Sequence, residues 1–149
     1  MFNRILVVCI GNICRSPTAE RLLRQRLPEH TVDSAGLSAL VGNPADAAAN
    51  TVAAQHQLSL AGHQARQLDV EICQQYDLIL VMEQGHVDMV CQLLPAARSK
   101  TMLFGQWLPH GQKEIADPYR QSTEMFLHVY QQMAKAADLW SEKLKHNLS

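Results

Sequence analysis

Residues 5–8, Ile-Leu-Val-Val, form an unbroken apolar run with no polar alternation. A strand of this kind is covered on both faces, as in the middle of a parallel sheet, whereas a sheet with one wet face alternates apolar and polar residues. The run ends at Cys9-Ile10-Gly11-Asn12, and a helix is expected only a few residues later. Ser16 is placed to cap that helix, Pro17 suits its first position, and Ala19, Leu22, Leu23 and Leu27 recur at helical spacing. A buried strand feeding straight into a helix commits the chain to right-handed crossovers, because parallel neighbours cannot be joined by a hairpin.

The remaining pattern repeats this unit. Thr31–Ala35 reads as a short strand closed by Gly36, and an Ala-rich helix is expected from about Pro44 to Gln57, with Ala48, Val52 and Ala53 available for packing. Asp77–Met82 is the clearest later strand, Val87–Leu94 a helix, and Thr101–Phe104 a further strand. Phe126, Val129, Tyr130, Met133, Ala137, Trp140 and Leu144 mark one face of a long amphipathic helix that suits packing on a sheet. Alternating strands and helices predict an α/β domain with a parallel sheet, whose ligands bind beyond the carboxyl ends of the strands. No linker or repeat divides the chain, and one domain over residues 1–149 is expected.

Composition narrows the function classes. The 13 Lys+Arg against 14 Asp+Glu leave a net charge of -1, which argues against a general nucleic-acid binder. The longest aliphatic stretch, Ile5–Ile10, is far too short to span a membrane, so no membrane insertion is expected. The start lacks the long apolar segment and cleavage site of a secretion signal, which implies a cytoplasmic chain. In that compartment the Asn147-Leu148-Ser149 match to a glycosylation pattern is irrelevant, and the four cysteines do not call for disulfides. No spacing gives the paired CxxC of a zinc site, and Cys73 and Cys91 read as buried apolar thiols.

Cys9 and Cys14 stand in a different neighbourhood. Cys9 to Ser16 reads C-x5-R-S between a strand and a helix. Five residues wrapping from a strand end to a helix N-terminus can turn a ring of backbone N–H groups on an anion, and the helix dipole reinforces it. Arg15 can grip two phosphoryl oxygens with its planar fork. The same field favours thiolate over thiol at Cys9, and Ser16 can donate a hydroxyl bond to the sulfur. Gly11 and Asn12 are residue types that tolerate a left-handed backbone. No G-x-x-x-x-G-K-[ST] is present, so a nucleotide loop is not indicated. A thiol attacking a phosphate ester needs an acid for its leaving group. Asp117-Pro118-Tyr119 is the best candidate, with Pro118 stiffening the loop and Tyr119 able to stack on an aromatic substrate, although Asp-Pro-Tyr by itself is more often a plain turn.

Together, VCIGNICRSPTAE, DSAGL at Asp33–Leu37, YDLILVME at Tyr76–Glu83 and DPYR at Asp117–Arg120 resemble the low-molecular-weight protein-tyrosine phosphatases, in that family's order and over nearly the whole chain. The resemblance is greatest to bacterial members acting opposite the tyrosine autokinases of capsule and exopolysaccharide production. It implies a three-layer sandwich with a central parallel four-stranded sheet of the flavodoxin-like, Rossmann-like kind, and a phosphate loop between the first strand and first helix. It also implies a phosphotyrosine-containing protein, such as a bacterial tyrosine autokinase, as partner and no metal or organic cofactor. Cys9 is then the nucleophile that forms a phosphocysteine. Arg15 and the N–H groups from Ile10, Gly11, Asn12, Ile13, Cys14 and Arg15 hold the oxygens, and Asp117 is the acid and later the base.

The resemblance further assigns Ser16 to the Cys9 sulfur, pairs Asn12 with Ser34 in support of the loop, and gives His63 a similar supporting part. On its own His63 reads equally as an ordinary histidine. Cys14 matches a loop cysteine that pairs with the nucleophile under oxidation in family members; read alone it is a small packing residue. Leu40 falls where animal-type relatives carry an aromatic residue, and implies a more open pocket. Tyr76 and Tyr130 are read as packing residues. Two other readings stay open: a thiol-dependent arsenate reductase of the same fold, for which Cys73 and Cys91 lack an obvious relay spacing, and a non-catalytic phosphotyrosine-binding module.

Overall fold

Strand β1 (Arg4–Cys9) is buried along its length after Arg4 and lies inside a four-stranded sheet. Its neighbours are β2 (Thr31–Gly36) and β3 (Leu78–Val81), and β4 (Thr101–Leu103) completes the order β2-β1-β3-β4. All three pairings are parallel, with Cys9 opposite Gly36 and Val8 opposite Val81. The computed structural model describes residues 2–147, so Leu148 and Ser149 of the Asn-Leu-Ser pattern lie outside the described residues.

The pleat sorts the core into two halves. Ile5, Val7 and Cys9 face one side, where α1 (Arg15–Arg26), α2 (Ala47–Gln55) and α5 (Thr123–Asn147) pack. Leu6 and Val8 face the other, against α3 (Val70–Gln74) and α4 (Gln84–Leu93). A strand buried on both faces needs apolar residues at successive positions, which is the physical meaning of the Ile-Leu-Val-Val run. The expected three-layer sandwich is thus the observed one. After β1 the chain crosses to one edge, and β3 pairs on the other side of β1. The crevice beyond the ends of β1 and β3 is therefore the switch point at which open α/β sheets bind ligands.

Several element ends differ from expectation. Helix α1 starts at Arg15 with Cys14 in the capping position, not at Ser16, and no side chain caps it. The Ser16 hydroxyl is engaged elsewhere, as described below. Pro17 is still tolerated because the first-turn N–H groups have no intrahelical partner. Helix α2 is shorter than its Ala-rich stretch, beginning where the Asp46 carboxylate accepts from Ala48 and Ala49 N–H. Helix α3 was not anticipated; five residues are too few for periodicity to show, although Asp69 caps it. Helix α4 begins three residues earlier than expected, whereas β3 and β4 are shorter. Among the described residues no helix is long and apolar enough to cross a membrane.

Candidate active site

The loop from Cys9 to Arg15 is shaped by what its carbonyls do. Cys9 O accepts from Leu37 N–H at 2.9 Å, Ile10 O from Ser38 at 2.9 Å, Gly11 O from Leu40 at 3.1 Å and Ile13 O from Asp46 at 2.9 Å. Asn12 O accepts from His63 Nε2 at 2.6 Å, and Cys14 O from the Thr18 hydroxyl at 3.0 Å. Every carbonyl from Cys9 to Cys14 is thus bonded to the surrounding structure. Across a trans peptide the next N–H points the opposite way. The N–H groups of Ile10 to Arg15 are thereby turned toward the centre of the loop, the arrangement an anion nest requires.

Asn12 carries the bend. Its φ is 59°, in the left-handed region, and it is fully buried. Its amide donates to Ser16 Oγ at 2.7 Å and Ser34 Oγ at 3.0 Å, and its oxygen accepts from Arg66 N–H at 2.9 Å. Ser34 in turn donates to Glu20 at 2.9 Å. Gly11, whose type also tolerates a left-handed backbone, does not adopt one; a Cβ there would meet nothing closer than Ile13 Cγ1 at 3.7 Å. The glycine that the loop needs is Gly36, where a Cβ would lie 2.5 Å from Ile10 O.

Cys9 Sγ lies 3.0 Å from Ser16 Oγ, and both are buried. Because that oxygen already accepts from Asn12, its own hydrogen is available to the sulfur. Arg15 is only 2% exposed. Its Nη1 donates to Glu83 Oε2 at 2.6 Å and to Ile115 O at 2.8 Å. Both Nη1 hydrogens are used, and the Nε–Nη2 edge of the fork remains for an oxyanion.

Asp117 stands across the pocket, with Oδ1 accepting from Tyr119 N–H at 3.0 Å and Oδ2 lying 3.8 Å from Arg15 Nη2. It lines the same cavity as Cys9, a space of about 190 Å³ with Ile13, Leu40 and Tyr119 among its apolar walls. Leu40 is 44% exposed at the rim. Cys14 lines the cavity too, and its thiol is held far above its ordinary 9.0, by burial first and then by Asp46 and Asp117. All four cysteines are free thiols. Cys73 and Cys91 belong to the core on the opposite face of the sheet from Cys9 and Cys14. Tyr76 is buried between Asp33 and Arg66, its hydroxyl donating to Asp33 at 2.7 Å and accepting from Arg66 at 2.8 Å; Tyr130 stacks on His56. Among the described residues no cluster of His, Cys, Asp or Glu has the makings of a metal site.

The structure brings together Cys9, the loop, Arg15, Ser16, Leu40, Asp117 and Tyr119, and sets Ser34 and His63 behind Asn12. Sequence reasoning missed Glu20, Gly36, Arg66, Glu83 and the Ile115 carbonyl. Glu83 had a readable signal, for it stands just past β3, at the carboxyl end of the strand that pairs with β1.

Known proteins resemble the chain throughout. A sequence model described as low molecular weight phosphotyrosine protein phosphatase matches residues 4–149. The low molecular weight protein-tyrosine-phosphatase Wzb of Escherichia coli K12 is 56% identical over 144 residues, which cover 97% of each chain. The crystal structure of the Erwinia amylovora tyrosine phosphatase AmsI superposes with a TM-score of 0.93 at 54% identity, over 96% of this chain and 93% of that one. Vibrio vulnificus Wzb in complex with benzylphosphonate gives 0.93 at 55% identity, over 96% and 99%. A family match that begins at the first residue of β1 and relatives identical at more than half their positions lead to one conclusion: this chain belongs to the low molecular weight phosphotyrosine protein phosphatase family.

Proposed function

We propose that Cys9 attacks the phosphorus of a phosphotyrosine side chain, forming the S–P bond as the bond from phosphorus to the phenolic oxygen breaks. Asp117 gives its proton to that oxygen, so tyrosine leaves neutral. The N–H ring and the free edge of Arg15 bind the three equatorial oxygens, whose charge is greatest in the transition state. In the second step Asp117 takes a proton from water as the water oxygen bonds to phosphorus. The S–P bond breaks, and Ser16 stabilises the departing thiolate.

The observation that carries this reading is that all six carbonyls from Cys9 to Cys14 are bonded to the surrounding structure, which supports turning the loop N–H groups toward the cavity beside Cys9. The apolar walls at Ile13, Leu40 and Tyr119 suit a phenyl ring. The partner on this reading is a phosphotyrosine-bearing protein in the cytoplasm, a bacterial tyrosine autokinase of exopolysaccharide production. The placement of Cys73 and Cys91 across the sheet disfavours a thiol-relay reductase, and a mere binding module would need neither Cys9 nor Asp117 in the cavity.

Turnover of phosphotyrosine and phosphoserine peptides tests the reading, with rapid-quench trapping of phosphocysteine and Cys9→Ser as control. Preference for phosphotyrosine, a trapped phosphocysteine and no turnover by Cys9→Ser are expected. Equal hydrolysis of phosphoserine would overturn the substrate class. Unchanged kinase phosphorylation on deletion of this protein would overturn the partner.

A further inference from the structure

Glu83 and His86 make and break no bonds in this scheme, yet they stand directly behind Arg15. Glu83 occupies the capping position of α4, but its carboxylate accepts no hydrogen bond from that helix. It turns to Arg15 Nη1 instead, and Glu114 Oε2 accepts the Gln84 N–H in its place at 2.7 Å. The Glu83 side chain is 41% exposed and has other rotamers open to it in water, so its hold on Arg15 depends on what fixes it.

His86 lies in the first turn of α4 and is buried. Its Nε2 is 3.7 Å from the Glu83 Oε2 that grips Arg15, an electrostatic contact rather than a hydrogen bond. Its Nδ1 is buried and has no hydrogen-bond partner among the described residues. A buried imidazole with an unsatisfied nitrogen is a costly way to fill space that leucine could fill. Burial, and next the charge of Arg15, lower its pKa from the ordinary 6.5, so the ring is neutral at neutral pH. Glu114 and Asp117 are the other charged groups that act on it.

We propose that His86 is a positioning residue for phosphoryl binding: it holds the Glu83 carboxylate in the rotamer that orients the Arg15 guanidinium. With hydrogen on Nε2, the neutral ring turns the positive end of its N–H dipole to the carboxylate. Glu83 then fixes Nη1, and the Nε–Nη2 edge is presented to the oxyanion before substrate arrives. Without His86 the substrate must order the fork itself, which weakens binding more than it slows chemistry. The inference rests on the phosphatase reading above, in which Arg15 is the phosphate ligand.

Steady-state kinetics with p-nitrophenyl phosphate at neutral pH test it, on the wild type and on H86L, H86Q, E83Q and the E83Q/H86L double variant. H86L should raise KM and the inhibition constant of inorganic phosphate by about 5- to 20-fold, with kcat within about threefold. Its Tm should be unchanged or higher, since an unsatisfied buried nitrogen is removed. H86Q, whose amide can offer an N–H to Glu83, should return KM to within about twofold of wild type. In the E83Q background H86L should add less than about 1.5-fold, because the residue acts through Glu83. A wild-type KM in H86L, no rescue by H86Q, or the full effect surviving in E83Q would overturn the proposal. So would a fall in Tm with kcat reduced as much as KM is raised, the sign of a merely structural role. Cys9→Ser, run alongside, separates the two readings: turnover surviving there sinks the phosphatase mechanism whatever the histidine variants do.

Discussion

Ser16 Oγ lies 3.0 Å from Cys9 Sγ while accepting the Asn12 amide hydrogen at 2.7 Å. The asparagine thus occupies one acceptor site of the serine hydroxyl and leaves its hydrogen free to donate to a thiolate sulfur. A bond of that kind matters most when the sulfur carries charge, as it does on leaving phosphorus.

Ser16→Ala should consequently slow breakdown of the phosphocysteine more than its formation. Loss of one hydrogen bond to a charged group is worth about 1.5–3 kcal/mol, or about 10- to 10²-fold in rate. Rapid-quench kinetics should show the phosphocysteine accumulating. A variant in which both steps slow equally would remove Ser16 from this role.

Asp117 is half-exposed, is oriented by the Tyr119 N–H and faces the cavity that holds Cys9. Asp117→Ala should slow hydrolysis of an ester with a poor phenolic leaving group by about 10²–10⁴, and that of an activated ester much less. A series of aryl phosphates of graded leaving-group pKa measures the difference. Equal losses across the series would exclude Asp117 as the acid.

Gly36 and Gly11 make a paired test of the loop. A Cβ on Gly36 would sit 2.5 Å from Ile10 O, so Gly36→Ala must push the loop and should cost about 1–3 kcal/mol in a urea melt. Gly11 has neither a left-handed φ nor a contact under 3.7 Å, and Gly11→Ala should change stability by about 0.5 kcal/mol or less. The reverse order would contradict the packing described.

Cys14 is kept a neutral thiol in the folded chain, with a pKa above its ordinary 9.0 through burial first and then Asp46 and Asp117. In the unfolded chain the thiol ionises near that ordinary value. Its contribution to stability is therefore complete below pH 9.0 and declines as pH rises further, by up to about 1.4 kcal/mol per pH unit. Cys73, Tyr76 and Tyr130 are raised in the same direction and share the alkaline slope. Urea melts across the alkaline range should show a shallower slope for Cys14→Ala than for wild type, and coincident slopes would refute the assignment.

The loop chemistry was legible because it is local. Cys9, Arg15 and Ser16 fall within eight residues, and the strand and helix that bracket them announce themselves by apolar run and helical period. Asp117 needed a second argument, that a thiol nucleophile requires an acid, since Asp-Pro-Tyr alone is an ordinary turn. The start of α1 was misread because Ser-Pro carries a genuine capping signal. A contact across the loop claims the Ser16 hydroxyl, and propensity rules cannot register that competition.

Sequence alone thus determined the α/β class and the position of the loop between β1 and α1 that carries Cys9 and Arg15. Both rest on periodicity and turn chemistry, which act over a few residues. Tertiary structure alone decided what holds Arg15, because Glu83 and the Ile115 carbonyl are 68 and 100 residues away along the chain. It likewise decided that Gly36 rather than Gly11 is the glycine against which the loop closes, and that Cys73 and Cys91 are separated by the sheet from Cys9 and Cys14. Such partners are chosen by which strands pair and which face each residue takes, and crossover topology sets both only once the whole sheet is assembled.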